Sequence, residues 1–141
     1  MAESLASTYN SYGRSGYRKV SYGNFVDRSD TTAKELFRLS AGDIPTALRI
    51  GNTGAVSNAA TNARLSIGST SNATYFLAAF DVKSAGALTN GGGPVSLPSS
   101  TANLYQPLAF DTIVTATYAE AGTASTAGGP WFIEMDVLRD V

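Results

Sequence analysis

Trp131–Leu138 reads WFIEMDVL, and twenty residues earlier Asp111–Ala119 reads DTIVTATYA. Along a strand, successive side chains point to opposite faces. In the later stretch Trp131, Ile133, Met135 and Val137 therefore share one face, while Phe132, Glu134, Asp136 and Leu138 share the other. In the earlier one Val114, Ala116 and Tyr118 lie together, opposite Ile113, Thr115 and Thr117. Period-two patterning of this kind describes half-buried antiparallel strands. Glu120–Pro130 (EAGTASTAGGP) joins them and is rich in turn formers, so the pair predicts a long-looped hairpin at the C-terminal end.

The same period recurs upstream. Ala63–Gly68 (ARLSIG) sets Ala63, Leu65 and Ile67 against Arg64 and Ser66, and Ala47–Gly51 (ALRIG) sets Leu48 and Ile50 against Arg49. Glu35–Leu39 (ELFRL) is a short apolar segment, expected to be the first core strand. Tyr75–Phe80 (YFLAAF) is apolar on all sides and too short for a free helix, which suggests a buried helical turn or a bent strand. Leu104–Leu108 (LYQPL) contains Pro107, which suits an edge strand or a strand end. Asp27–Lys34 and Asn52–Thr61 read as polar connections, and Gly91–Pro94 as a flexible turn before Val95–Leu97. About seven or eight short strands with turn signals between them predict an antiparallel β-sandwich or jelly roll.

Composition agrees. Ala, Ser, Thr and Gly supply 66 of the 141 residues, and only 15 % are charged. Lys and Glu are scarce, so surface helices held by Glu–Lys pairs are not expected. There is no Cys, which excludes a disulfide framework and thiolate chemistry. There is no His either, which excludes a Ser-His-Asp triad and imidazole metal ligands. A net charge of -1 argues against a general nucleic-acid binder. No run of 18 apolar residues is present to span a membrane, and the first ten residues lack the basic start and apolar stretch of a signal peptide.

The first 24 residues stand apart from the domain expected over 25–141. They hold four of the seven tyrosines, only Leu5 and Val20 as large aliphatics, and a net charge of +2. Such a segment cannot build its own core. Tyr and Arg anchor protein interfaces with large contact area at modest entropic cost. The expectation is an extended arm that folds onto a neighbouring subunit, with Tyr9, Tyr12, Arg14, Tyr17, Arg18 and Tyr22 making the contacts. A disordered tail, or an arm that stacks on bases, are the competing readings.

No catalytic constellation emerges. Glu134 and Asp136 project together but read as a solvated strand face. Asp27 and Asp30 miss the spacing of a calcium loop, and Gly91–Gly93 lacks the Lys-Ser/Thr of a phosphate loop. Asn72-Ala73-Thr74 fits a glycosylation sequon without a secretion signal to support it. Trp131 could stack on a sugar, but at the start of an alternating strand it is expected in the core. No enzyme activity, metal or cofactor is expected.

Two stretches taken together carry a resemblance. They are Leu65–Gly86 (LSIGSTSNATYFLAAFDVKSAG) and Ile113–Val137 (IVTATYAEAGTASTAGGPWFIEMDV), preceded by the Leu36–Leu39 segment. Over roughly Glu35 to Val137 the chain resembles small virion structural proteins of tailed bacteriophages, several of them similar to capsid decoration (cement) proteins with β-sandwich or jelly-roll folds. The sequence departs from that pattern at the triple glycine of Asn90–Pro94 and in the tail Arg139–Val141. The resemblance implies a protein made in the host bacterial cytoplasm and placed on the capsid surface. Its partners would be the major capsid protein and two further copies of itself in a homotrimer. It implies no catalytic residues. Another virion role (neck, tail or fibre base) and a carbohydrate-binding sandwich for host adsorption, using Trp131, Tyr75, Tyr105 or Tyr118, are the alternatives.

Overall fold

In a computed structural model the described residues are 16–52, 60–83, 95–96 and 103–140. They form eight strands and no helix: β1 (Tyr17–Val26), β2 (Lys34–Leu39), β3 (Ile44–Asn52), β4 (Ala60–Ser69), β5 (Leu77–Asp81), β6 (Val95–Ser96), β7 (Thr112–Gly122) and β8 (Trp131–Asp140). Two four-stranded antiparallel sheets, ordered β1-β8-β3-β6 and β2-β7-β4-β5, make a sandwich.

The alternation read from the sequence decides which side chains fill it. Trp131, Ile133, Met135 and Val137 of β8 and Leu48 and Ile50 of β3 are fully buried from one sheet. Ala63, Leu65 and Ile67 of β4 and Val114, Ala116 and Tyr118 of β7 face them from the other. Burying each large aliphatic side chain contributes about 1.5–3 kcal/mol.

The expected C-terminal hairpin does not form. β7 and β8 belong to different sheets, each at the centre of its own, and they meet across the core. The Tyr118 and Trp131 rings stack there with centroids 5.0 Å apart. The apolar stripes of β7 and β8 face each other across the sandwich. In opposite sheets they bury each other.

The N-terminal boundary also differs from the sequence reading. Residues 17–24, expected in the arm, are the first part of β1, which pairs along its whole length with β8 from Tyr17↔Asp140 to Val26↔Trp131. Val20, Tyr22 and Val26 turn toward the core, and Lys19, Ser21 and Gly23 turn out. Glu35–Leu39 is thus part of the second strand. A bulge between Glu35 and Phe37 lets Leu36 and Leu39, three apart, both reach the core.

Leu104–Leu108 is not a strand. Asn103 and Tyr105 take positive φ (68° and 63°), and Leu104 and Leu108 turn inward as plugs. Pro107, with no N–H to donate, fits this irregular path. Tyr75–Phe80 resolves as the bent strand rather than the helical turn: Phe76 is buried and β5 kinks at Ala79, φ 48°. The Gly91–Pro94 turn lies outside the described residues. At Gly68 the turn 72–73 crosses so closely over β4 that a Cβ would collide with the backbone of Asn72 and Ala73.

Candidate functional site

The two ends of the sandwich are finished by different loops. At one end the β7–β8 connection passes between the sheets, and a polar clamp holds it. The Glu120 carboxylate accepts hydrogen bonds from Tyr118 Oη (2.7 Å), Ser125 Oγ (2.6 Å) and Ser125 N (3.0 Å). Arg28, from the β1–β2 turn, donates to the Ser125 and Gly128 carbonyls at 3.1 and 3.3 Å. Burial, and then the hydrogen bond to Glu120, push the Tyr118 phenol up to about 12. The donors on Glu120 hold its carboxyl below the usual range, Ser125 Oγ foremost.

The solvent side of the β1-β8-β3 sheet carries an ion network. Arg49 binds Asp136 through both terminal nitrogens at 2.9 Å and Glu134 through Nε at 2.8 Å. Ser21 Oγ donates to Asp136 at 2.7 Å, and Lys19 stands 3.4 Å away. Asp136 is only 4 % exposed, so the solvated face expected for this acidic pair is wrong on its side. The pairing is what β-register adds: Arg49 lies directly opposite Glu134 in the ladder, a neighbour 85 residues away in sequence. The Arg49 guanidinium holds the Asp136 carboxyl far below the usual carboxylate range. These groups saturate one another, and among the described residues no cluster of three potential ligands could hold a metal ion.

At the opposite end, β1 begins, β2, β4 and β8 end, and β3 and β7 begin. Here Arg139 forks onto Asp43 (3.0 and 2.7 Å) and donates to Tyr22 Oη (2.6 Å). Arg139, aided by Ser40 N–H, keeps the buried Asp43 carboxyl below its ordinary value. The turn leading into β7 is tied to this corner by backbone bonds Tyr105 N–Pro45 O (2.7 Å), Leu108 N–Asp43 O (2.9 Å) and Gly42 N–Leu108 O (2.8 Å). Asn103 Nδ2 adds a bond to the Tyr75 carbonyl (2.6 Å) and Asp111 accepts from Ala41 N–H (2.9 Å). From this firmly held backbone two aromatic side chains stand in solvent: Tyr105, 63 % exposed, and Phe110, 78 % exposed. An open groove of about 240 Å³ runs beside Phe110, lined by Ser69, Ser71, Tyr75, the stretch Leu108 to Phe110, and Thr112. A second, of about 280 Å³, lies across Thr112 and includes Arg38 and Asp111.

The residues expected at an interface divide three ways. Tyr9, Tyr12 and Arg14 lie outside the described residues. Tyr17 (57 % exposed) and the exposed Arg18 sit where β1 starts, at the same end as the grooves. Tyr22 is a packing residue: its ring stacks on Phe37 at 5.3 Å, and Arg139 covers it. Of the four aromatics considered for sugar stacking, Trp131 and Tyr118 are in the core, and Tyr75 and Tyr105 border the grooved end. Phe110 was not legible as a contact residue. Its only signal is a large apolar side chain lying between Pro107 and the first alternating residue of β7.

These features define a small two-sheet β-sandwich, fixed internally by ion pairs, with its most exposed aromatic side chains, Tyr17, Tyr105 and Phe110, at one end and the less exposed Phe25 at the other. No protein-family model and no curated protein matches the chain. Two solved structures share the fold. One is a chain of the cyanophage Pam1 capsid asymmetric unit, with TM-score 0.58 and 18 % identity over 95 % of this chain and 91 % of that one. The other is a chain of the acidic stable capsid structure of Helicobacter pylori bacteriophage KHP30, with TM-score 0.57 and 13 % identity over 89 % of this chain and 94 % of that one.

Proposed function

We propose that the chain is a structural protein of a bacteriophage virion and, within the virion, a capsid decoration protein. It binds the assembled major-capsid shell as a homotrimer and stabilises it, and it carries no catalytic function. The observation that carries this reading is the shared fold over nearly the full length of chains from two phage capsid structures. Three features support it. The aromatics expected to serve a sugar site are half lost to the core. The ion pairs saturate one another instead of forming a reactive centre. Among the described residues most exposed positions carry Ala, Ser, Thr or Gly, which lose little rotamer entropy on contact.

Residues 1–15, with Tyr9, Tyr12 and Arg14, are the arm in this reading, and Tyr17 and Arg18 are its attachment. At about 3.3 Å per residue an extended arm of that length spans about 50 Å, enough to cross a neighbouring subunit. The test adds purified protein to undecorated capsids and reconstructs the particles. Density repeated over the whole shell is expected. Density at one vertex only would make it a neck or tail component, and no density would sink the reading. A chain lacking residues 1–15 is expected to stay folded and bind capsids at least tenfold more weakly, as the loss of about 1.4 kcal/mol or more implies.

A further inference from the structure

We propose that residues 5–12 lie along the open edge of β1 and add a fifth strand to its sheet, joined to β1 by a turn at Gly13–Gly16. The inference goes beyond the reading above and holds or fails without it.

Of the four edge strands, β1 offers the long and open edge. β6 has two residues, β5 kinks at Ala79, and β2 carries a bulge and has its Leu36 carbonyl taken by Asn24 Nδ2 at 2.8 Å. β1 runs for ten residues and, among the described residues, pairs with β8 alone.

Phe25 fixes which of its peptide groups turn outward. It stands opposite Phe132 in the ladder, yet its N–H donates to Asn24 Oδ1 (2.8 Å) and its C=O accepts from Lys34 Nζ (2.6 Å). Both groups are thus turned away from β8. Peptide groups alternate in direction along a strand, so those of Gly23, Ser21, Lys19 and Tyr17 turn outward as well. Among the described residues these have no partner. Side chains therefore close one end of the edge, and four positions stay open. An unpaired edge is a template for another strand. Lysine is a common guard of such edges, but Lys19 reaches across the sheet face toward Asp136, 3.4 Å away.

The occupant is read from the chain that enters β1 at the open end of this edge. Gly13-Arg14-Ser15-Gly16 sets a glycine at each end of a four-residue connection, and glycine supplies the backbone freedom for a reversal. Tyr12 then falls opposite Tyr17, Asn10 opposite Lys19, Thr8 opposite Ser21 and Ala6 opposite Gly23. A small residue suits that last place, because the Phe132 ring lies too close over Gly23 for a side chain there. On the core side Tyr9 comes opposite the half-buried Val20, and Leu5, the large aliphatic of the segment, comes opposite Asn24. The next pair would bring Ser4 to Phe25, whose groups are already bonded, so the strand stops at Leu5. A four-residue loop costs little closure entropy, which favours the chain's own segment over that of another copy. Where the reading above holds, the arm rests on its own sandwich and leaves β1 to cross a neighbour.

Amide exchange with deuterium tests the strand, comparing the full chain with the chain lacking residues 1–15. Lys19, Ser21 and Gly23 are expected to exchange at least about tenfold more slowly in the full chain, whereas Val20, Tyr22 and Asn24, bonded to β8, exchange alike in both. Like exchange at all six amides overturns the proposal. Protection that appears only on concentrating the protein, with a rising mass, gives the edge to another copy and also overturns it. The register is tested in the full chain, which has no cysteine of its own. Ser11 and Arg18 would form a non-hydrogen-bonded pair with Cα atoms about 4.5 Å apart, within reach of a disulfide. Ser11→Cys with Arg18→Cys is expected to close within one chain under mild oxidation. Asn10→Cys with Arg18→Cys, whose side chains point to opposite faces, is expected to stay reduced over the same time. Equal closure of the two pairs, or closure mainly between chains, overturns the proposal whether or not the shortened chain folds.

Discussion

The crossover end and the grooved end of the sandwich are both tied down by hydrogen bonds, and the two most exposed rings, Tyr105 and Phe110, stand at the grooved end. At the crossover end Glu120 gathers Tyr118 and Ser125, Arg28 ties the strap to the β1–β2 turn, and Trp131 lies sealed beneath. At the grooved end, bonds to Asp43 and Pro45 hold the backbone as firmly, but Tyr105 and Phe110 stand in solvent. Rigid loops thus serve two ends. Turned inward, the hydrogen bonds seal the core; turned outward, they fix where the exposed Tyr105 and Phe110 rings stand.

Four changes test that contrast, beginning with the largest effect. Removing residues 1–24 deletes most of β1 and uncovers the edge of β8 and the flank of Met135 and Val137. Loss of the cooperative urea transition is expected, whereas removal of residues 1–15 should leave it intact. If both truncations unfold alike, the boundary at Tyr17 is wrong.

Arg49→Met comes next. It strands Asp136, 4 % exposed, without its main partner, and a buried charge stripped in this way costs about 3–5 kcal/mol. Replacing Asp136 by Leu in the same chain should recover most of it. The pH dependence gives a second handle. The folded pKa of Asp136 lies below its unfolded value of about 3.9. Its contribution is therefore present above about pH 4 and lost as pH falls through the folded value. The wild-type thermal midpoint is expected to hold from pH 7 to pH 5 and to fall only in stronger acid. Relative to wild type, Arg49→Met should regain stability below about pH 4, where protonation neutralises the stranded carboxyl.

Tyr118→Phe removes one of three donors from Glu120 and keeps the ring on Trp131. A loss of about 0.5–1.5 kcal/mol in urea unfolding is expected. In alkali the wild type should lose this contribution as pH rises from about 10 toward 12, since the folded phenol titrates near 12. Smallest of all is Phe110→Ser. At 78 % exposure it should shift stability by less than about 0.5 kcal/mol. A larger loss would mean that the grooved end also stabilises the monomer and would erase the distinction between the two ends.

The faces of the strands were legible in the sequence, and their partners were not. Alternation at Leu48 and Ile50, at Ala63, Leu65 and Ile67, and along β7 and β8 grouped the buried apolar side chains correctly. It depends on local spacing, which a sequence displays. Pairing is non-local, so β7 and β8 looked like a hairpin when each was the centre of a separate sheet. β1 was hidden for another reason. Its inward residues Val20, Tyr22, Asn24 and Val26 do alternate, but Ser21 and Gly23 between them made the segment look like a spacer. Asp136 was misjudged because its neutralising Arg49 arrives only through the register of β3 against β8. Phe110 had no period to reveal it.

The placement of β8 between β1 and β3 has a consequence in time. The nearest rungs of the β1–β8 ladder join residues 105 positions apart, Val26 and Trp131, and the farthest join Tyr17 and Asp140. Closing so long a loop is an entropic barrier, and topologies rich in such pairings fold slowly. β1 and β3 can each be complete as chain and still lack the strand between them until β8 arrives. One sheet of this sandwich is therefore a late event in folding, gated by the segment made after all its neighbours.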